Sequence, residues 1–346
     1  MSVLTGVSEF FGLDIGTTAI RLVELHGSGK TKALVKYAYL PVDSKVAQSD
    51  AKSDQQRLTE AVRDLLAQAK ITTRNVAVGL PSQRVFTTIV DIDRLSPGEI
   101  AKTLQYQADS LIPTPVSESK IEWAVLGDSP KDKNKVEVLL SSVTKDLVES
   151  RLDMLESIGL NVIAFEPDYM ALSRAVMSMD STAPQVVVDI GSKSTDIVIC
   201  YGGVPRLARS IPTGSESIVR SAMQNLGIDT KQAEQFVNKF GLSKDKLEGQ
   251  IYNAIIGTVD MLVSELEKSI KFFQSRYMDA KIERVIMTGG AAVLPEFPLY
   301  IANKFGVNVE IGDAWRNVSF PANRQNELLA SANYFAVAAG LAERSE

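Results

Sequence analysis

The sequence predicts an α/β protein built from one unit used twice, with a small α+β subdomain inserted into the first copy. Three observations carry this. Two glycine hairpins, at 11–25 and 186–200, deliver Asp14 and Asp189 to the ends of apolar strands 175 positions apart. Residues 84–160 read as a self-contained β-α-β-β-α run. A third glycine turn, Thr288-Gly289-Gly290-Ala291, closes a short strand in the second half. At 346 residues the chain has room for two or three domains.

The elements follow in order. Phe11-Gly12-Leu13-Asp14-Ile15-Gly16 leads through Thr17-Thr18 into a run that alternates apolar and polar residues and is rich in β-branched ones, which is strand behaviour. His26 sits at the tip of a turn over 26–29, and 32–40 reads as a third strand. Residues 41–55 are polar and predict a surface loop. Leu58, Val62, Leu65 and Ala69 then share one face of a helix, and 75–80 is a buried strand stopped by Pro81-Ser82. In the insertion, strand 85–90 precedes Ser96-Pro97-Gly98-Glu99, a capping box with proline at the first helical position. Ile100, Leu104, Ala108 and Leu111 form the buried stripe of that helix. Strands 120–126 and 136–143 follow, then a helix over 145–158 with Gly159 as its C-cap.

Glu166-Pro167 is expected to open a helix running to about 179. Beyond the second hairpin, Gly202-Gly203 turns into strand 204–210, and helices are expected at 215–226, 231–240 and 253–277. Strand 284–287, helix 297–305 and a closing helix over 328–342 complete the chain.

Composition limits the chemistry. One cysteine, Cys200, and one histidine, His26, exclude a disulfide framework and Cys/His zinc sites. Reactions are left to carboxylates, hydroxyls, lysines and backbone amides. With 37 basic against 42 acidic residues, no basic excess is available to displace counterions, so nucleic acid is not an expected partner. The uncharged run 328–342 has 15 residues, short of the roughly 20 that cross a bilayer. The first twenty residues contain no lysine or arginine, so a secretory n-region is missing and a cytoplasmic address is expected.

Either hairpin alone reads as an ordinary turn. Two copies at equivalent positions point to a phosphate chain held between them. Glycine lets each turn approach a ligand closely. The amides of Gly16, Gly191 and Ser192, with the hydroxyls of Thr17, Thr18, Ser194 and Thr195, can line that chain. Lys193 either pairs with a phosphate or points into water. Magnesium is held by one or two carboxylates plus phosphate oxygens, which Asp14 and Asp189 could supply. Gly289, Gly290 and Ala291 would let a flat adenosine lie against backbone, the alternative being a tight strand-to-helix connection.

These residues resemble the actin, Hsp70 and sugar-kinase ATPase superfamily. Gly12-Leu13-Asp14-Ile15-Gly16-Thr17-Thr18 looks like its first phosphate loop, 188–196 like the second, and Met287-Thr288-Gly289-Gly290-Ala291 like the adenosine loop. Within it the chain is most similar to the PilM family of type IV pilus assembly proteins, with the division protein FtsA as a cousin. The likeness is carried by 11–25, by Gln107-Ala108-Asp109-Ser110-Leu111-Ile112-Pro113-Thr114-Pro115, by Phe165-Glu166-Pro167 and by 334–342. It implies an actin-like ATPase fold, a duplicated ribonuclease-H-like fold, with an FtsA-type 1C subdomain. Subdomain 1A would hold 1–83, 161–183 and 328–346, with 1C at 84–160. Subdomain 2A would hold 184–226 and 281–327, with 2B at 227–280.

The resemblance further implies ATP and Mg²⁺ as cofactors and at most slow hydrolysis. Glu166 would position the attacking water, and Glu265 and Lys268 would touch the nucleoside, a solvated charged face being the plain alternative for that pair. It implies a cytoplasmic platform, peripheral to the inner membrane and reaching it only through a partner: the N-terminal tail of PilN, held in a groove between 1A and 1C. Pilus motor ATPases and self-association are further candidate contacts. The chain ends at Glu346 directly after its last helix, so membrane attachment of the FtsA kind is not expected. Two other functions fit the fold: an FtsA-like division filament and a sugar-kinase-like phosphotransferase, the latter with no motif for a second substrate's general base.

Overall fold

The computed structural model describes residues 9–27, 29, 31–178 and 181–345. Residues 1–8, 179–180 and 346, and Ser28 of the expected turn, lie outside the described residues.

The first half opens with β1 (Phe11–Ile15), β2 (Ala19–His26), β3 (Lys32–Pro41), α1 (Ser44–Gln48), α2 (Lys52–Ala69) and β4 (Asn75–Leu80). The insertion supplies β5 (Val85–Asp93), α3 (Pro97–Leu111), β6 (Ser119–Asp128), β7 (Lys135–Thr144) and α4 (Lys145–Glu156), before β8 (Asn161–Pro167) and α5 (Asp168–Val176). The second half runs β9 (Gln185–Ile190), β10 (Thr195–Tyr201), β11 (Val204–Ile211), α6 (Ser215–Leu226), α7 (Thr230–Phe240) and α8 (Gln250–Arg276). It ends with β12 (Arg284–Thr288), α9 (Phe297–Phe305), β13 (Asn308–Ile311), β14 (Val318–Ser319), α10 (Gln325–Leu329) and α11 (Ala336–Ala342).

The duplication is explicit in the sheets. The first has the order β14-β3-β2-β1-β4-β8 and the second β11-β10-β9-β12-β13. In each, a meander of three antiparallel strands is extended by two parallel ones on the far side of its first strand. Asp14 therefore lies opposite Arg21 in its hairpin, and Asp189 opposite Asp196 in the other.

Helices α5 and α11 are sandwiched between the two sheets. Leu172 and Ala338 share a core with Val23 of the first sheet and Val187 and Val198 of the second. Two glycines permit this approach: a Cβ on Gly340 would strike the carbonyl of Ala171, and one on Gly12 the carbonyl of Ala338. The outer face of the first sheet buries Leu13, Leu22 and Val78 against Leu58, Val62 and Leu65 of α2. The outer face of the second buries Val186 and Val188 against α8.

Several expectations are corrected. Glu166 and Pro167 end a strand rather than open a helix, because a residue before proline is pushed to extended backbone and Pro167 itself caps α5 at ψ 135°. That strand, β8, is absent from the expected elements. The polar stretch 41–55 contains α1, capped by Asp43, whose carboxylate accepts from the Lys45 amide at 2.8 Å. The closing helix is broken into α10, a 3₁₀ turn at Ala332–Tyr334 and α11. Asn333 is responsible for part of this: its carbonyl and side-chain amide bind the N–H and C=O of Gly289, each at 2.9 Å. Two boundaries of the expected subdivision also move. Val318–Ser319, expected with the second half, extends the first sheet beside β3. Met154 and Leu155 of α4, expected with the insertion, pack into the outer core of the first sheet.

The remaining insertion is a three-stranded sheet, β5-β7-β6, with α3 over Val138 and Leu140. It is tied to the second half by Glu137 of β7, which is 1 % exposed. Its carboxylate accepts from Arg206 of β11, from Nε of Arg276 at 2.6 Å and from the Tyr277 hydroxyl at 2.7 Å. A second carboxylate from the insertion, Asp91, takes the other end of Arg276 at 2.5 Å. Two arginines against two acids, Glu137 buried and Asp91 partly exposed, make a balanced junction.

Candidate functional site

The β1–β2 and β9–β10 turns face each other across a cleft of about 280 Å³. Gly16, Thr17 and Thr18 line one side, and Gly191, Ser192 and Ser194 the other. The second turn is fixed by the start of α6: the amides of Ser215 and Glu216 donate to the carbonyls of Gly191 and Ser192 at 2.9 and 3.0 Å. Gly214 makes this seat, since a Cβ there would collide with both carbonyls.

Lys193 and Thr195 do not line the cleft. Lys193 forms an ion pair with Glu216, and the buried Thr195 hydroxyl donates to the Thr213 carbonyl at 2.8 Å. Both secure the turn to α6. In the third turn Gly289 abuts the second, because a Cβ there would meet the Ile190 carbonyl and Asp189 Oδ1. Gly290 faces the Tyr334 ring, and Ala291 is buried in the second-half core.

Five carboxylates line the cleft, the exposed Asp50 and four that are buried or half-buried: Asp14, Asp168, Asp189 and Asp196. Asp14 is paired with Arg21 at 3.2 Å, yet burial still raises its pKa above the ordinary carboxylate value. Asp189 accepts from the Thr288 hydroxyl at 2.9 Å. Burial, reinforced by the charge of Asp196, pushes its pKa to about 7. Asp196 is raised by burial and accepts from Ser210. Asp168 is raised furthest in character, by burial and then by the charges of the other three together with Glu166. Its Oδ1 is covered and has no hydrogen-bond partner, and it occupies the space that a side chain on Gly79 would fill. The cations on the cleft wall are Arg21, Arg84 and Arg151.

The arrangement suits an anion with an accompanying divalent cation. The turns offer amides and hydroxyls, while the carboxylates are held protonation-prone by burial, with neighbouring negative charge adding to it at Asp168 and Asp189, a cost that a cation would relieve. Among the described residues no three carboxylates or other ligating side chains close on one point. That matches magnesium, which keeps several waters and takes phosphate oxygens, better than an ion caged by protein alone.

Glu166 is not brought to this cleft. It is 2 % exposed and held by Arg174 at 3.1 Å and Arg344 at 3.3 Å. Glu166 lines the groove side of β8 instead, and Asp168, the first residue of α5 after the Pro167 cap, supplies the carboxylate at that corner of the cleft. Glu265 and Lys268 also lie elsewhere. They pair with each other at 2.6 Å, and Glu265 with Arg209 at 2.8 Å, in a surface recess between α8 and β11. Sequence reasoning missed Arg21, Asp168, Asp196 and Arg151. Lining up the two hairpins would have found Arg21 and Asp196, and the strand forced by Pro167 would have exposed Asp168.

A separate groove of about 650 Å³ runs between β8, α4 and the insertion. Trp123, Leu139, Val148, Leu152 and Phe165 make it apolar, with Lys120, Glu122, Glu166 and Arg344 as charged groups along its walls. Both bordering strands, β6 and β8, are at sheet edges.

A family model described as type IV pilus assembly protein PilM matches residues 12–346. The chain is similar to a solved PilM-PilN type IV pilus biogenesis complex, with TM-score 0.82 and 24% identity over 97% of this chain and 98% of that one. It is also similar to ethanolamine utilization protein EutJ from Carboxydothermus hydrogenoformans, with TM-score 0.59 and 16% identity over 97% and 89%. MreB5 of Spiroplasma citri bound to AMPPNP matches with TM-score 0.56 and 12% identity over 96% and 95%. The fold is therefore that of the actin-like ATPases. The chain belongs to the type IV pilus assembly protein PilM family.

Proposed function

We propose that the protein is an ATP-binding scaffold of a type IV pilus assembly complex at the inner membrane. Nucleotide state in the cleft sets how the apolar groove grips the N-terminal tail of PilN. The observation that carries this is the cleft itself: two equivalent turns from the two halves, with five carboxylates and three arginines between them. A neighbour of this fold solved with AMPPNP supports a nucleotide there, and the PilM-PilN complex supports the partner. The family match favours neither the division-filament nor the phosphotransferase function. No described helix is long and apolar enough to cross a membrane, which suits recruitment through a partner.

In this proposal Gly16, Thr17, Thr18, Gly191, Ser192 and Ser194 hold the phosphates, and Asp14 and Asp189 face the magnesium through its waters. Gly289 and Gly290 back the second turn on the nucleoside side. The metal would supply charge neutralisation of the phosphates. Asp168 takes the water-positioning role expected of Glu166, since its carboxylate lines the cleft at the start of α5. Hydrolysis, where it occurs, is slow because positioning without a strong base gives modest rates. Titrating the protein with a peptide of the PilN N-terminal tail, with and without Mg·ATP, tests the scaffold. Saturable binding that changes with nucleotide is expected; a flat titration in both conditions would overturn it.

A further inference from the structure

Helix α4 belongs to the cleft and to the groove at once. Leu147, Ser150 and Arg151 line the cleft, while Val148 and Leu152 line the groove. Arg151 is unlike the other arginines of the cleft. It is 8 % exposed, and among the described residues its guanidinium makes one hydrogen bond, to Met154 Sδ at 3.7 Å, and no ion pair. Arg21, by contrast, is bound to Asp14, and Arg84 is exposed. A guanidinium has five donors, and those of Arg151 that no side chain meets open onto the cleft, where an anion from outside the chain can meet them. Asp50 and Asp168 influence it only at a distance.

The position of the helix selects which anion. The Gly289 turn lies beside Asp189 in the second half, so the nucleoside end of a bound nucleotide points that way. α4 packs on β8 and the first-sheet core, on the half of the molecule that does not carry the Gly289 turn. We infer that Arg151 is a sensor of the terminal phosphoryl group, binding it through its planar fork and shifting α4 so that Val148 and Leu152 reshape the groove. This rests on the nucleotide function proposed above. It goes further in naming the residue that tells triphosphate from diphosphate and the element that carries the difference to the partner.

Arg151→Met keeps the apolar stem and removes the fork, and Arg151→Lys keeps the charge alone. Binding of Mg·ADP, of a Mg-bound non-hydrolysable ATP analogue, and of Mg·ADP with added orthophosphate is measured by calorimetry on the full chain. Trp123 emission reports the groove, with Trp123→Phe assigning the signal. Wild-type protein should prefer the triphosphate by about tenfold or more, the span of a charged hydrogen-bonded contact. The preference should fall to within about twofold in Arg151→Met and to an intermediate value in Arg151→Lys, with ADP affinity retained. Trp123 emission should respond to the triphosphate in the wild type and not in Arg151→Met. A response to orthophosphate with ADP that matches the triphosphate would reassign the sensed group to released phosphate and overturn the triphosphate assignment. The empty Arg151→Met protein should melt above the wild type, whereas a merely structural arginine would lower the melting temperature and overturn the inference. Retained triphosphate preference in Arg151→Met overturns the sensor alone. A wild type that binds neither nucleotide overturns the cleft function and the sensor with it.

Discussion

The two hairpins share a backbone and differ in charge. In the first, Asp14 lies across from Arg21 and is paired with it. In the second, Asp189 lies across from Asp196; burial makes both reluctant to ionise, and the charge of Asp196 adds to this at Asp189. One copy carries its own counter-cation; the other lacks one. Duplication gave the site its symmetry, and this one exchange of arginine for aspartate gives it polarity. It concentrates uncompensated negative charge on the second half, where an external cation is most strongly drawn.

The largest effect should come from breaking the balanced side. Arg21→Ala leaves Asp14 buried without its partner and should destabilise the empty protein by about 3 kcal/mol, read by urea unfolding. The counterpart change in the second hairpin, Ser210→Ala, removes only a hydroxyl from Asp196 and should cost about 1 kcal/mol. Equal costs would show that the two hairpins are not electrostatically distinct.

A smaller and opposite effect is expected of Asp189→Asn. In the folded protein Asp189 keeps its proton to about pH 7, whereas the unfolded chain loses it near the ordinary value of 3.8. Between those values the native state binds more protons, so stability falls as pH rises through the window. Asp189→Asn removes this slope. Its advantage over the wild type should therefore grow steadily from about pH 4 to about pH 7, and added Mg²⁺ with nucleotide should shrink it. Glu343, also raised to about 7 by burial, titrates in both proteins, so the difference isolates Asp189. A gap that does not vary with pH would contradict the charge asymmetry.

Glu166→Gln should lower stability by about 2 kcal/mol, by weakening the hold of Arg174 and Arg344, and leave nucleotide affinity unchanged. Asp168→Asn should instead slow any hydrolysis while the fold persists. The smallest effect belongs to Glu265→Ala and Lys268→Ala. Each should stay within about 0.5 kcal/mol, with nucleotide binding unaltered, because their ion pair lies on the surface. Lost nucleotide affinity in either would return that recess to the site.

Legibility followed the physics of local signals. Glycine turns after β-branched runs marked both hairpins, and the capping box at Ser96 marked α3, because each is specified within a few residues. What failed depended on distant partners. Leu328 to Ala342 looks helical throughout, but Asn333 is drawn to Gly289, far away in sequence, and the helix breaks. Glu166 stands beside a proline in a motif-like setting, yet it is the change from strand to helix at Pro167 that brings Asp168 to the cleft and leaves Glu166 on the other side. Arg151 sits on an ordinary amphipathic helix, and nothing within the helix tells that one side faces the cleft and another the groove.

The most direct test of the account is calorimetric titration of ATP, with and without Mg²⁺, into the wild type and into Asp14→Ala and Asp189→Ala. Saturable, magnesium-dependent binding is expected in the wild type, with both variants folded by circular dichroism and both stripped of the magnesium-dependent component. Binding in the two variants as tight and as magnesium-dependent as in the wild type would contradict a nucleotide held between the halves by these two aspartates.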